Sequence, residues 1–343
     1  MSQALTPLVS SRAAIFRLGR FSAACILVSY IACATAAAQT GAQSEAVQRT
    51  LAGADKARLD NEAKLKSALG NARLRQQIQE ADADAPLTLL DASMSVSYDA
   101  PKFAIQISND IRLREIRNGS SSRRWEGSSA EKVLVIFDGE ALYLVQWDRR
   151  GGCEGEIYFA FSRQAVLRSA GFPFEHPIHI WREALNISTI KASRTEITPR
   201  LSGGFMAIER MASYDRKFFL FDRFGYDLRR VSTQRSDNGI PIREYSLRWQ
   251  ESPSGVFYLS EFSNTVTKTR ASIISDEQEF VSKLTTKVTY DKFDVNIEVP
   301  ANRFSINEYD IPAGTRFVDK RRRTQRNSAT LQFDGTKLVP VHP

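Results

Sequence analysis

The chain has 343 residues, of which 42% are apolar and 25% charged, with only three His and three Cys and a formal net charge of +8. Such a composition buries a real core, which excludes wholesale disorder. The scarcity of Cys and His excludes a disulfide miniprotein or a Cys/His zinc module. The length corresponds to two ordinary domains or one large one.

Arg12, Arg17 and Arg20 precede an uncharged apolar run from Phe21 to Ala34, and Ala34-Thr35-Ala36 and Ala36-Ala37-Ala38 each fit a small-residue cleavage pattern. Basic, apolar and small-residue regions in that order read as a secretory signal peptide over residues 1–38, cleaved after Ala36 or Ala38. The run is too short for a membrane anchor, which needs ~20 apolar residues, and no later stretch approaches that length. The expected product is therefore exported, periplasmic or secreted, and soluble. Lipidation at Cys33 is the alternative, but Tyr30 stands where a lipobox takes an aliphatic residue. Loss of residues 1–38 removes three basic side chains and no acidic one, leaving a net charge of +5 and Cys153 as the one thiol. No intramolecular disulfide can then form, although export permits them.

Residues 39–86 differ from the rest of the chain: they are rich in Ala, Gln, Glu, Lys and Arg and contain no Phe, Tyr or Trp. Val47, Leu51 and Ala54, then Leu65, Leu69 and Ala72, recur at helical spacing, interrupted by Gly53 and Gly70. This segment reads as a polar helical leader, either a solvated helix with a thin apolar stripe or a helix covering part of a sheet. Pro86 ends it, since proline disfavours helical geometry at its predecessor.

From Leu87 the period changes to two, and residues 87–343 read as one antiparallel domain. Phe293, Val295, Ile297 and Val299 alternate with polar residues until Pro300, and Arg243, Tyr245, Leu247 and Trp249 form a second such face. Asp138-Gly139 between Val133–Phe137 and Ala141–Trp147 predicts a hairpin with a type I′ turn. Counting from the turn, Val133, Val135 and Phe137 share a face with Leu142 and Leu144. Leu134 and Ile136 share the other with Ala141, Tyr143, Val145 and Trp147. Both faces are apolar, so both need covering, and Phe218–Phe221 has the same two-sided character. Helix signals are few: Ser162 as N-cap of a helix ending at Gly171, Pro177 opening one through Leu185, and Ser275 with Gln278 as a capping box. No 20–50-residue repeat occurs. The expected fold class is mainly β (α+β): a large curved antiparallel sheet or incomplete barrel, with a few covering helices and an N-terminal helix.

Chemical signatures are sparse. There is no G-x-S-x-G, G-x-G-x-x-G, Walker loop or H-E-x-x-H. Glu175, His176 and His179 cluster around Pro177 without a distant Cys or third His partner, so loop histidines are expected in place of a metal site. Cys153 follows Arg149 and Arg150, which would lower its pKa if they faced it; otherwise it is a lone thiol in a Gly-rich turn. Lys320, Arg321, Arg322 and Arg323 form the densest basic run. Export and modest charge argue against nucleic acid, leaving a solvated edge or contact with anionic head groups. No cofactor is expected.

Three segments in order carry a family resemblance. Asp222-Arg223-Phe224-Gly225-Tyr226-Asp227-Leu228-Arg229-Arg230 resembles the D-P-x-x-G-Y turn-and-strand of LolA-like proteins, the periplasmic lipoprotein-carrier superfamily, with Arg223 in place of Pro. Ser254-Gly255-Val256-Phe257-Tyr258-Leu259 resembles the next hairpin element of that family, with Phe257 for Trp. The stretch from Phe304-Ser305-Ile306 to Ile311-Pro312-Ala313-Gly314-Thr315-Arg316-Phe317-Val318-Asp319 is similar to the closing element of large exported relatives. The resemblance implies an incomplete antiparallel barrel with an apolar hollow partly closed by helices.

Two-sided apolar strands with few large-residue helices predict an under-filled concavity. An acyl chain of ~16 carbons entering it would supply on the order of 12 kcal/mol gross at ~0.8 per methylene, less immobilisation costs. Leu134, Ile136, Tyr143, Val145, Trp147, Phe219, Phe221, Tyr245, Leu247 and Trp249 are the candidate lining. The expected function is an exported, non-enzymatic lipid- or lipoprotein-binding protein with lipid or an acylated protein as partner. The alternatives are a secreted structural or surface-interaction module using the sheet as scaffold, and an Asp/Glu envelope hydrolase.

Overall fold

The structure is a computed structural model that describes residues 44–116, 124–127, 130–170, 172, 179–200, 203–221, 227–271, 278–321 and 329–341. The expected signal segment lies outside them, and among the described residues no helix is long and apolar enough to cross a membrane.

Helix α1 (44–64) leads into strands β1 (Ser67–Glu80), β2 (Leu87–Asp99), β3 (Lys102–Ile116), β4 (Arg124–Gly127), β5 (Ala130–Phe137), β6 (Ala141–Asp148) and β7 (Cys153–Phe159). Helix α2 (Arg163–Ser169) and a string of 3₁₀ turns over 180–194 separate these from β8 (Thr195–Pro199), β9 (Phe205–Arg210), β10 (Tyr214–Phe221), β11 (Asp227–Arg235), β12 (Pro241–Glu251), β13 (Phe257–Ala271) and β14 (Gln278–Val295). After two more 3₁₀ turns come β15 (Arg316–Asp319), β16 (Ala329–Phe333) and β17 (Leu338–Pro340). The strands pair in the order β8-β9-β10-β11-β12-β13-β14-β1-β2-β3-β5-β6-β7-β15-β16-β17, with β4 on the far end of β3. Among the described residues, every pair is antiparallel except β15 on β7. The sheet does not close into a barrel: its two edges are the short strands β8 and β17, each containing a proline that blunts it against further pairing. The expected fold class holds.

The inner face, under the helices, carries one apolar cluster. It runs from Phe205 and Ala207 through Phe218, Tyr245, Phe262, Val288, Leu74, Met94 and Ile105 to Val135 and Leu144, and α1, α2 and the 180–190 segment fill it. The outer face of β3, β5, β6 and β7 carries a second cluster, Ala104, Leu134, Ile136, Ala141, Val145 and Ile157, covered by Val299, Phe304, Ile311, Phe317 and Phe333 of the C-terminal segment. The faces of the β5–β6 hairpin are the expected ones, with Phe137 opposite Leu142 on one side and Ile136 opposite Tyr143 and Leu134 opposite Val145 on the other. Both faces of this hairpin are covered.

Several expectations need correction. Residues 67–80 form a central strand between β14 and β2, not a continuation of the helix. Their inward positions Ala68, Gly70 and Ala72 are small, and the Phe293 ring packs so closely over Gly70 that a Cβ there would overlap it. Ala68 and Ala72 read as helix formers locally, and tertiary pairing overrides that propensity. The helix expected to run through Leu185 is a 3₁₀ turn over Ile180–Glu183, and Pro177 lies outside the described residues. Gln278 opens β14, so it is no partner in a capping box; Ser275 lies outside the described residues. At the Asp138-Gly139 turn, positive φ falls on Gly139 alone (109°), and Asp138 Oδ1 accepts from the Glu140 and Ala141 amides (both 2.8 Å). With Asp138 and Ala141 closing the turn, Gly139 is its first central residue, and a single positive φ there is the II′ placement, not I′. Finally, the alternating run at Phe293 ends at Val295, because Asn296 turns left-handed (φ 54°). Phe293 and Val295 join the inner cluster, while Val299 crosses to the outer one.

Candidate functional site

Helix α1 packs on the sheet along one stripe: Val47, Leu51 and Ala54 are buried, and Arg58, Asn61 and Leu65 continue the same face. The helix covers the sheet; it is not a solvated leader. The stripe turns from apolar to polar at Arg58. Asn61, 8% exposed, acts as a surrogate strand residue: its Nδ2 donates to the Phe257 carbonyl (2.8 Å) and its Oδ1 accepts from the Phe257 amide (3.0 Å). Asn296 closes the helix end, its Nδ2 donating to the Lys64 carbonyl (2.8 Å) and its Oδ1 accepting from the Lys66 amide (3.0 Å). The C-terminal half of α1 is thereby tied to the sheet through polar side chains.

Beneath that half lies an apolar cleft. Leu220, Leu228, Trp249, Leu259, Tyr290 and Phe293 from β10–β14 form its floor. Leu65 of the α1–β1 junction and Trp181, Leu185 and Ile187 form its roof, and Arg58, Asn61, Glu62 and His179 its rim. Its aromatic polar atoms are bonded to protein: Trp249 Nε1 donates to the Leu228 carbonyl (2.7 Å) and Tyr258 Oη to Gln250 at the surface (2.8 Å). Burial raises the Tyr290 hydroxyl well above the usual phenol range. The wall is therefore dry. The cleft is also nearly closed, with a volume of about 30 Å³, room for about two waters.

At the rim, Glu62 is a hub. It accepts from Arg182 Nη2 (2.8 Å) and Nε (3.3 Å), with Arg58 Nη1 at 3.8 Å and His179 Nδ1 at 3.7 Å. The guanidinium groups of Arg58 and Arg182 lie 4.3 and 5.6 Å from the centre of the Trp181 ring, and Asp55 also holds Arg58 (2.5 Å). Burial, helped by Arg182 and Arg58, pushes the His179 imidazole down to about 3, so it is neutral.

Of the expected lining residues, only Trp249 borders this cleft. Tyr245 and Leu247 belong to the same inner face and are buried in its core. Leu134, Ile136 and Val145 sit in the outer cluster with Tyr143 and Trp147 packed against it, on the opposite side of the sheet. Burial, then Asp138, pushes the Tyr143 hydroxyl up to about 12. Phe219 and Phe221 are half-buried on the outer face, covered by the guanidinium groups of Arg200 (5.0 Å) and Arg229 (4.4 Å), while Phe218 and Leu220 face the core. The cleft's own floor and rim are legible in the sequence only as isolated residues; the available signal is Arg58 and Asn61 standing at apolar-stripe positions of α1.

The other sequence features resolve simply. His179 is the rim imidazole, Glu175 and His176 lie outside the described residues, and no His/Cys/Asp/Glu group able to hold a metal occurs among the described ones. Cys153 opens β7 opposite Trp147, and burial raises its pKa instead of the arginines lowering it. Lys320 pairs with Glu156 (3.5 Å) and Arg321 with buried Asp319 (2.9 Å); Arg322 and Arg323 lie outside the described residues. Of the resembling motifs, Gly255 (φ 72°) turns into β13, and Gly314 (φ 93°) precedes β15. Residues 222–226 of the first motif lie outside the described ones. A larger polar groove of about 550 Å³ lies on the inner side of β6, β7 and β15, lined by Gln146, Glu154, Glu156, Arg316 and Thr330.

No family model matches the chain and no curated protein does. Among solved structures, it is similar to a DUF1329 family protein from Desulfovibrio piger ATCC 29098, with 10% identity over 75% of this chain and 97% of that one and a TM-score of 0.32. It is also similar to a porin-like protein from Bacteroides uniformis ATCC 8492, with 8% identity over 66% of this chain and 98% of that one and a TM-score of 0.20. At such TM-scores neither likeness says what this chain binds.

Proposed function

We propose that the protein is an exported, non-enzymatic acyl-binding protein, and that the cleft between α1 and the inner face of β10–β14 is where a lipid tail or the acyl group of a lipoprotein enters. The observation that carries this reading is a dry, aromatic-floored cleft whose roof is a helix end and a run of 3₁₀ turns, outside the hydrogen-bonded sheet. Val47 and Leu51 are the larger buried apolar side chains of α1, worth about 1.5–3 kcal/mol each. The 180–190 cover consists of 3₁₀ turns (Ile180–Glu183 and Ile187–Thr189), whose hydrogen-bond geometry is poor. An acyl tail of ~16 carbons offers on the order of 12 kcal/mol gross, against about 3–6 kcal/mol for uncovering the two roof side chains Leu185 and Ile187, with immobilisation to be subtracted. The N-terminal export signal and the LolA-like motif order support the same reading.

The small volume of the cleft favours a second reading, a secreted structural or interaction module whose interior is simply filled. Titration of the mature chain with an environment-sensitive fatty-acid fluorophore, alongside native mass spectrometry of protein purified from its own envelope, separates the two. Saturable binding with quenching of Trp249, or co-purified lipid, is the expected result. Absence of both leaves the structural module.

A further inference from the structure

We propose that the cleft selects amphiphiles with an anionic head, and that Glu62 occupies the head-group position as a built-in surrogate between Arg58, Arg182 and His179. This inference rests on the acyl-binding reading and adds the chemical class of the ligand.

The Arg58 half of the receptor is held independently of the carboxylate now in it. Arg58 is fixed by Asp55 and by stacking 4.3 Å from Trp181, and Arg182 lies against the same ring (5.6 Å). Two guanidinium groups held on one indole present donors to a common point, the arrangement that recognises carboxylate or phosphate oxygens. Within its helix, Glu62 pairs with Arg58 four residues earlier (3.8 Å), itself part of the frame. It stands in the last turn of α1, where the helix dipole disfavours a negative charge, and its side chain is only 11% exposed. What retains it there is the cationic frame.

Leaving is sterically simple. The neighbouring Asn61 holds the backbone to Phe257, so Glu62 can rotate toward water without unseating the helix. Replacing it with a ligand anion exchanges one paired negative charge for another and strands no buried cation, which is the costly outcome at such a site. A neutral amphiphile leaves Glu62 in place and gains no such pairing. Directly behind the frame the wall becomes apolar, through Leu65, Leu185 and Leu228. A ligand with a charged end at the rim and a tail toward Phe293 matches that polarity, with Leu185 and Ile187 moving aside to admit the tail.

The test is isothermal titration of the full mature chain with laurate, dodecyl phosphate, dodecanol and dodecyltrimethylammonium below their micelle concentrations. At least one anionic probe is expected to bind tenfold or more tightly than dodecanol, and the cation more weakly than either. Whichever anion binds better identifies a carboxylate or a phosphate head. Glu62→Gln is expected to strengthen anion binding several-fold and leave dodecanol unchanged. Arg182→Gln, a change at a half-exposed side chain that keeps the protein readable if the first variant does not fold, is expected to erase the preference for anions. Equal affinity for anionic and neutral probes, or weakened anion binding in a folded Glu62→Gln protein, overturns the selectivity while leaving acyl binding intact. No binding of any probe, dodecanol included, overturns the acyl-binding reading itself.

Discussion

The β5–β6 hairpin is apolar on both faces, and the two faces belong to different kinds of interior. On the outer side, the cover consists of large rings (Phe304, Phe317 and Phe333) pressed onto Leu134, Ile136 and Val145. Gly155 of β7 is empty of side chain where the Phe317 ring sits, and a Cβ there would overlap the ring. On the inner side, toward β10–β14, the cover is α1 with Val47, Leu51 and Ala54 and a run of 3₁₀ turns, and a cleft remains beneath it. A ring-filled layer has no slack to admit a ligand, because interiors pack at crystal-like density. A layer covered by a helix end, polar ties and short 3₁₀ turns can open locally at a fraction of the global unfolding free energy. On the acyl-binding proposal, this difference assigns the binding capacity to the helix side.

The most direct way to break this comparison is to empty the filled side. Phe317→Ala removes a fully buried ring and is expected to lower unfolding stability by about 3–5 kcal/mol, read as a shifted urea midpoint, with acyl binding by the surviving folded protein unchanged. Loss of binding in parallel with a small stability change would place the binding site in the outer cluster instead.

A second, smaller effect concerns the rim. His179 is 9% exposed and neutral in the folded state, and its pKa is pushed down to about 3 by burial first, then by Arg182 and Arg58. Glu62, 3.7 Å away, is already engaged by both arginines, and Tyr98 meets the imidazole edge-on at 6.1 Å. An unfolded-state His titrates near 6.5. Above that pH neither state binds the proton, and the folded state keeps its full stability. As pH falls from about 6.5 toward 3 the unfolded chain takes up a proton that the folded chain refuses, so stability is lost at about 1.4 kcal/mol per pH unit. His179→Gln is expected to remove that component of the slope between about pH 6.5 and 4.5 in urea titrations. An unchanged slope would mean that the rim opens to water and the imidazole is not held neutral.

The same contrast decides how far the sequence can be read. The faces of the β5–β6 hairpin are legible residue by residue, because counting outward from the Asp138-Gly139 turn fixes the parity of both strands. The strand that begins at Leu87 is equally plain. Strand β1 is not, since its inward Ala68, Gly70 and Ala72 are small, Gly70 lying under the Phe293 ring, and they carry no strong period-two hydrophobic signal. The cleft is hidden for a related reason. Its floor comes from five strands spread over residues 220–293 and its rim from α1 and the 180s, and the register that joins them is tertiary. Phe219 and Phe221 read as inward-facing from the sequence because four aromatic or aliphatic residues in a row carry no parity. The pairing of Phe218 with Val231 settles which pair faces the core.

The smallest effect on stability is also the sharpest discriminator. Gly70 and Gly155 are each overlain by a phenylalanine ring, Phe293 and Phe317 respectively. Phe293 packs between Tyr258 (5.1 Å) and Tyr290 (4.7 Å) and lines the cleft, so a methyl group at Gly70 has somewhere to push it. Gly70→Ala is expected to lose only about 1 kcal/mol, the low end of the range for an added methylene, while driving the ring into the cleft and weakening a fatty-acid fluorophore several-fold. Gly155→Ala, under the fully buried Phe317 ring, is expected to lose more stability and leave binding as it was. If both glycines respond alike in stability and in binding, the two layers are equally filled. The inner cover is then a permanent part of the core, and no ligand enters beneath it.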